Sequence, residues 1–208
     1  MPKVEVWPTV HDERKSLAAD LDGLDDAGWG TTSLCSGWTV QDVVAHLTAM
    51  SKLSGASFFP RLLASGFSLT RMQAKDIAAE KGPSPADTLA RFKASVESTG
   101  RPPGPLDTML GEVIVHSADV RRPLGIAHQY PTDAVVEVAE FYRRSNLIIG
   151  GKRRISGLAL QATDTDWAAG SGPVVSGPVL SLLLALTGRK AALDDLSGEG
   201  VAILRSRV

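Results

Sequence analysis

The 208-residue chain has one cysteine, Cys35, so no disulfide can close within it, and no paired-cysteine or Cys/His zinc-finger spacing is present. It has little net charge. A formal balance of -1 gives no electrostatic footprint for nucleic acid or for an acidic membrane surface. It also lacks a long apolar run. The longest, Val179 to Leu186, is far too short to span a bilayer, and the start, Met1-Pro2-Lys3-Val4-Glu5-Val6, lacks the apolar core of a signal peptide. Gly170-Ser171-Gly172 is not followed by the Lys-Ser/Thr of a phosphate loop, and internal repeats and low-complexity segments are absent. What remains is an ordinary globular composition, 43% hydrophobic, long enough for one domain and a small appendage. The expected location is cytoplasmic.

The first three quarters of the chain read as helices. Val10, Leu17, Leu21 and Leu24 share one face of a helix over residues 10 to 24. Thr39 is a candidate N-cap with Asp42 three residues on, and the helix that follows carries Val43, His46, Leu47 and Met50 on one stripe. A less regular helix is expected over 60 to 80, broken by Gly82-Pro83-Ser84-Pro85, where Ser84 and Pro85 suit an N-cap and first helical position. Leu89, Phe92 and Val96 extend the next helix to the stop at Gly100-Arg101-Pro102-Pro103-Gly104-Pro105. From Leu106 to about Leu124 a helix buries Met109, Glu112, Val113, His116 and Val120, and Pro131-Thr132-Asp133 opens another. Past residue 150 the pattern changes to strands at 158–162 and 174–175, a helix over 179–186 and a final strand at 201–204. The fold class is therefore α+β, mainly α, with a helical domain at 1–149 and a small α+β appendage at 150–208.

Glu112 and His116 carry the chemistry. Helix neighbours at i and i+4 have Cβ atoms about 5–6 Å apart, so this pair can grip one metal ion. His46, on the buried stripe of a second helix, would complete three ligands with an open position, the pattern of a catalytic metal. A lone buried histidine is usually a hydrogen-bonded core residue. A buried carboxylate is different, because leaving it unpaired costs several kcal/mol or forces it neutral. Glu112 therefore needs a partner: a metal shared with His116, the Arg121/Arg122 cluster, or an arginine from a facing helix such as Arg14, Arg71 or Arg91.

Other residues read more simply. Asp42 could be a fourth ligand, but capping explains it. Asp119, three residues after His116, could orient an imidazole or lie on a solvated face. Cys35 reads as a packed or idle thiol and Trp38 as a hydrophobic staple at the helix entry. Arg143, Arg144, Lys152, Arg153 and Arg154 could bind an anionic substrate, though basic helix ends are commonly solvated. The residue pattern assigns no catalytic acid or base.

The stretch Cys35-Ser36-Gly37-Trp38-Thr39-Val40-Gln41-Asp42-Val43-Val44-Ala45-His46-Leu47 resembles the first metal-ligand helix of the mycothiol-dependent maleylpyruvate isomerase family. Glu112-Val113-Ile114-Val115-His116-Ser117-Ala118-Asp119 resembles its second motif. Ala162 to Trp167 and Leu182 to Arg189 look like its small C-terminal domain. The resemblance implies a DinB-like four-helix bundle followed by a small α/β appendage, with His46, Glu112 and His116 holding a divalent metal, zinc by analogy, and mycothiol as cosubstrate. It implies activation of a low-molecular-weight thiol for attack on an electrophilic substrate, by cis–trans isomerisation or S-transfer; the expected assembly is a monomer or homodimer, and the charge and apolar runs point to no nucleic-acid or membrane partner. Arg189 is a candidate substrate anchor. The alternative from another class is a non-catalytic helical bundle that binds a metal or small ligand. A hydrolase centre with Asp42 or Asp119 as general base is a third.

Overall fold

The structure is a computed structural model that describes residues 4–146 and 149–208. These fall into two compact units, Glu5–His128, and Gln129–Val208 together with Val4. The first is helical: α1 (Val6–Asp20), α2 (Asp26–Trp29), α3 (Val40–Ser51), α4 (Gly55–Ala64), α5 (Leu69–Glu80), α6 (Pro85–Lys93) and α7 (Asp107–Arg121). α1 packs on α6 and α7, and α3 packs on α6 and α7 with α5 against it, giving the expected bundle. Its core joins Leu17 and Leu21 of α1, Val40, Val43, Val44 and Leu47 of α3, Phe92 of α6 and Val120 of α7. These apolar side chains recur at helical spacing, which is why the stripes were legible.

The cap that starts α3 forms as expected. The Asp42 amide donates to the Thr39 hydroxyl, while the Thr39 amide donates to Asp42 Oδ2 at 2.9 Å. That closed box fixes the register of α3, and with it the direction in which His46 points. Gly100, in the stop before α7, passes so close to α3 that a Cβ there would lie 2.1 Å from the Ser51 carbonyl oxygen. No other residue fits that crossing.

The helix expected over 60–80 is two helices. Gly66 and Phe67 both adopt left-handed backbone, at φ 62° and 58°, and Ser68 then caps α5. Two successive left-handed residues end any α-helix, and the apolar periodicity runs on across the break without showing it.

The second unit contains α8 (Thr132–Arg143), α9 (Gly151–Arg154), β1 (Ala159–Ala162), β2 (Ala168–Gly170), β3 (Val174–Gly177), α10 (Val179–Leu186), a 3₁₀ turn (Lys190–Asp195) and α11 (Val201–Arg205). The sheet order is β2-β1-β3, with β1 antiparallel to β2 and parallel to β3. α10, apolar on nearly every side, is buried against α8 and the sheet. This packing groups α8 with the second compact unit.

The final segment is also different. Residues 201–204 form α11, not a strand. The chain makes one antiparallel bridge, Ser176 to Ser197, then turns away at Gly198 with φ 105°. Of the four apolar residues only Leu204 is buried, and a run that short carries no period to separate helix from strand. The strand β2 gave no apolar signal because two of its three residues are exposed.

Thr39→Ala removes one half of the α3 capping box and is expected to destabilise the protein by about 1 kcal/mol. Urea unfolding followed by far-UV circular dichroism measures it. A midpoint equal to wild type would show that the cap does not set α3.

Candidate metal centre

α3 and α7 lie side by side, and at their contact three side chains meet. His46 Nε2 is 3.0 Å from Glu112 Oε2, and His116 Nε2 is 3.3 Å from the same oxygen. One ligand atom from each of the three lies within 4.8 Å of the others. The His46 side chain is buried at 5% exposure, whereas Glu112 retains 23% and His116 11%. The cluster is therefore closed on the α3 side and open toward solvent on the α7 side. The two α7 residues sit at the margin of the buried stripe, not at its centre.

Among the described residues, Glu112 forms no ion pair with an arginine. Arg121 is buried and turned to α1, where Nε meets Asp20 at 2.7 Å, Nη1 meets Glu13 at 3.4 Å and Nη2 donates to Ser16 at 2.9 Å. Arg14 donates to the Ser98 carbonyl, Arg71 to that of Gly66 and Arg91 to that of Ala79. The hydrogen-bonding partners of Glu112 are the two imidazoles.

A second layer lies behind His116. Its Nδ1 is 2.8 Å from Asp119 Oδ2, and Asp119 is fully buried. Cys35 Sγ donates to the same Asp119 oxygen at 3.0 Å and lies 3.6 Å from His116 Nδ1. The loop that carries Cys35 is pinned to α7 by the Leu34 amide, which donates to the Asp119 carbonyl at 3.2 Å. Asp119 thus keeps a proton on His116 Nδ1 and makes Nε2, which faces Glu112 and His46, the nitrogen that would lose its proton to a metal. Cys35, Asp119 and His116 are also close enough to hold an ion themselves. They satisfy one another by hydrogen bonds, however, and one imidazole does not serve two ions cheaply. Cys35 is therefore not idle, as its sequence context suggested: the separation of 84 residues between it and Asp119 hid the contact. Asp42 is committed to the cap and to Lys81 Nζ at 2.8 Å, so it is not a fourth ligand.

Trp38 is more than a staple. Its ring lies 5.1 Å from the His46 ring and 6.1 Å from that of His116, centroid to centroid, walling one side of the cluster with apolar surface.

The electrostatics follow from burial and these contacts. Burial opposes ionisation of Glu112, but hydrogen bonds from His116 and His46 outweigh it and hold its carboxyl well below the usual carboxylate range. Burial pushes His46 down, against the pull of Glu112. Burial also opposes charge on His116, but hydrogen bonds to Asp119, Cys35 and Glu112 outweigh it and raise its pKa well above the ordinary value.

The residues fit a metal. Tetrahedral ligands at about 2.0–2.1 Å from one ion are separated from each other by about 3.3 Å, close to the two distances seen here. Two neutral nitrogens and one carboxylate are a donor set that zinc accepts, with a fourth position left for a small molecule.

The chain matches the family model of the mycothiol maleylpyruvate isomerase N-terminal domain over residues 10–121, a span that holds all three cluster residues. The chain belongs to this family. The family is named for an enzyme, and the mainly helical fold of this chain with its small C-terminal sheet is similar to that of two solved structures. One is the mycothiol-dependent maleylpyruvate isomerase, at TM-score 0.64 and 17% identity, covering 94% of this chain and 92% of that one. The other is a histidine-to-alanine variant of the mycothiol-dependent maleylpyruvate isomerase, at TM-score 0.63, 18% identity and the same coverage. At such identities the likeness is one of fold. No curated protein matches this chain. Among the described residues, no helix is long and apolar enough to cross a membrane.

Because His116 is more basic in the folded protein than unfolded, its contribution to stability is complete below about pH 6.5 and is lost as pH rises through its folded value. In chelator-treated protein this loss has a slope of at most about 1.4 kcal/mol per pH unit above neutrality, and Asp119→Asn flattens it. Urea titrations between pH 6 and 9 test this; an unchanged slope in the variant would remove Asp119 from the account.

Proposed function

We propose that this protein is a mycothiol-dependent enzyme of the maleylpyruvate isomerase family in which His46, Glu112 and His116 hold one divalent metal, zinc by its donor set. The observation that carries the reading is the Glu112 carboxylate between two imidazole nitrogens, at 3.0 and 3.3 Å, with no arginine paired to it among the described residues. When bound, the ion lowers the pKa of a coordinating thiol, so that a low-molecular-weight thiol is nucleophilic at neutral pH. The nucleophile then comes from the cosubstrate, since the chain's own thiol, Cys35, is engaged with Asp119.

The residues divide the work. His46, buried, fixes the closed side of the site. Glu112 supplies the negative charge that offsets part of the ion's. His116 is kept in one tautomer by Asp119, so that only its Nε2 is available inward. Trp38 excludes water from one flank. Addition of the thiolate sulfur to one carbon of an electrophilic double bond leaves a single bond free to rotate. The π pair, held meanwhile by the alkene's electron-withdrawing group, then re-forms the double bond in the other geometry and expels the same sulfur as thiolate, so no net proton or redox partner is needed. The family supports isomerisation over S-transfer, in which the sulfur would stay on the product. The expected small-molecule partners are mycothiol and an electrophile. The expected surroundings are cytoplasmic, with no nucleic-acid or membrane partner, in a monomer or homodimer.

Cobalt-substituted protein reads the open position directly. Mycothiol is expected to change its visible spectrum, and His46→Ala is expected to abolish both the spectrum and mycothiol binding while far-UV circular dichroism stays that of a folded bundle. Mycothiol binding that persists in folded, metal-free His46→Ala would contradict the proposal. Asp119→Asn is expected to weaken zinc affinity by about 10–100-fold; competition with a chromophoric chelator measures it, and unaltered affinity would show that Asp119 does not act on the metal.

A further inference from the structure

The C-terminal unit gathers arginines around a cavity that the metal chemistry does not use. Arg153, Arg154 and Arg207, with Gly150 and Ser156, line a space of about 440 Å³, and no carboxylate is among them. Other arginines of this unit pair with acids: Arg143 and Arg144 with Glu140 at 2.7 and 2.6 Å, and Arg205 with Asp194 at 3.1 Å. The three around the cavity do not, among the described residues.

Their donors go to backbone instead. Arg154 Nη1 donates to the carbonyls of Ile149 and Leu186, and its Nε to that of Arg207. Arg207 Nη1 donates in return to the carbonyls of Arg154 and Ser156, at 3.0 and 2.7 Å. Carbonyl oxygens orient a guanidinium without neutralising it. The fold therefore fixes two cations in place by reciprocal bonds and leaves their charge uncompensated, with Arg153 as a third whose guanidinium makes no bond among the described residues. Gly188 adds room: a Cβ there would lie 3.4 Å from Arg154 Nη2. Burial and then repulsion from Arg153 and Arg189 make Arg154 less basic than usual, a strain that a bound anion would relieve.

We propose that Arg153, Arg154 and Arg207 form a binding site for a phosphoryl dianion. Three guanidinium groups lining one cavity suit a group with three terminal oxygens and a charge of about -1.5 to -2 better than a single planar carboxylate, which one fork satisfies. The cavity falls in the range of about 300–1,000 Å³ typical of small-molecule sites, so it has space for a group beyond the phosphoryl. The Ser156 hydroxyl, also without a bond among the described residues, is a further donor on its wall. The source is free phosphate or a phosphorylated small molecule.

Isothermal calorimetry on the full chain with inorganic phosphate, against chloride at matched ionic strength, tests the site. Saturable phosphate binding is expected, at least about tenfold weaker in Arg153→Glu and in Arg207→Lys, both still folded by circular dichroism. Tighter binding of glycerol phosphate than of phosphate would assign a phosphorylated small molecule, and the reverse order free phosphate. His46→Ala is expected to bind phosphate as wild type does, which separates this site from the metal reading. Absence of saturable binding at millimolar phosphate, equal binding in both arginine variants, or loss of binding in His46→Ala would overturn the proposal.

Discussion

A carboxylate at the edge of a helix's buried stripe is the constraint on which the first unit depends. Glu112 is removed from most of its water, and an ionised carboxylate so placed must be matched by charge or hydrogen bonds at a cost of several kcal/mol if it is not. Here the matching comes from one imidazole on its own helix and one on the neighbouring helix. The demand therefore reaches across the α3–α7 contact. It requires α3 to start where the Thr39–Asp42 box starts it, and α7 to begin after a stop whose Gly100 lets the chain pass α3 closely.

Behind that contact the same logic repeats at lower cost. Asp119 is wholly buried yet accepts from His116 and Cys35, so its charge is met inside the second layer. The buried Arg121 further along α7 is met by Glu13, Asp20 and Ser16 of α1. α7 thus carries charged groups toward two different helices, and Glu112 and Arg121 each meet partners there. Arg14 of α1 is the exception beside the apolar core: it is buried, donates among the described residues only to the Ser98 carbonyl, and desolvation lowers its pKa to about 10.

The three cluster residues were legible because helical spacing is local: four residues separate Glu112 from His116, and His46 lies at i+3 from Val43 on an apolar stripe. The Thr39 cap was legible for the same reason. Cys35 was not, because its partners come from a helix some 80 residues away, and Trp38 only in part, because one of its two ring partners, His116, lies on that same helix; no local pattern encodes which loop will be tied to α7 by the Leu34 amide. The break at Gly66-Phe67 was hidden since Phe67 has no business in left-handed backbone on intrinsic grounds, and the final helix since four apolar residues fit either period. The place of α8 depends on α10, an element that is apolar all round and so gives no face to read. Local chemistry was visible in the sequence; the partners supplied by distant segments were not.

Metal content of the purified protein, by inductively coupled plasma mass spectrometry on wild type and Glu112→Ala prepared alike, tests the central claim most directly. The account predicts about one zinc per chain in wild type and next to none in the variant. A wild type that takes up no metal when zinc is supplied, or a variant that keeps it in full, would contradict it and leave the two imidazoles and the carboxylate as a hydrogen-bonded junction between α3 and α7.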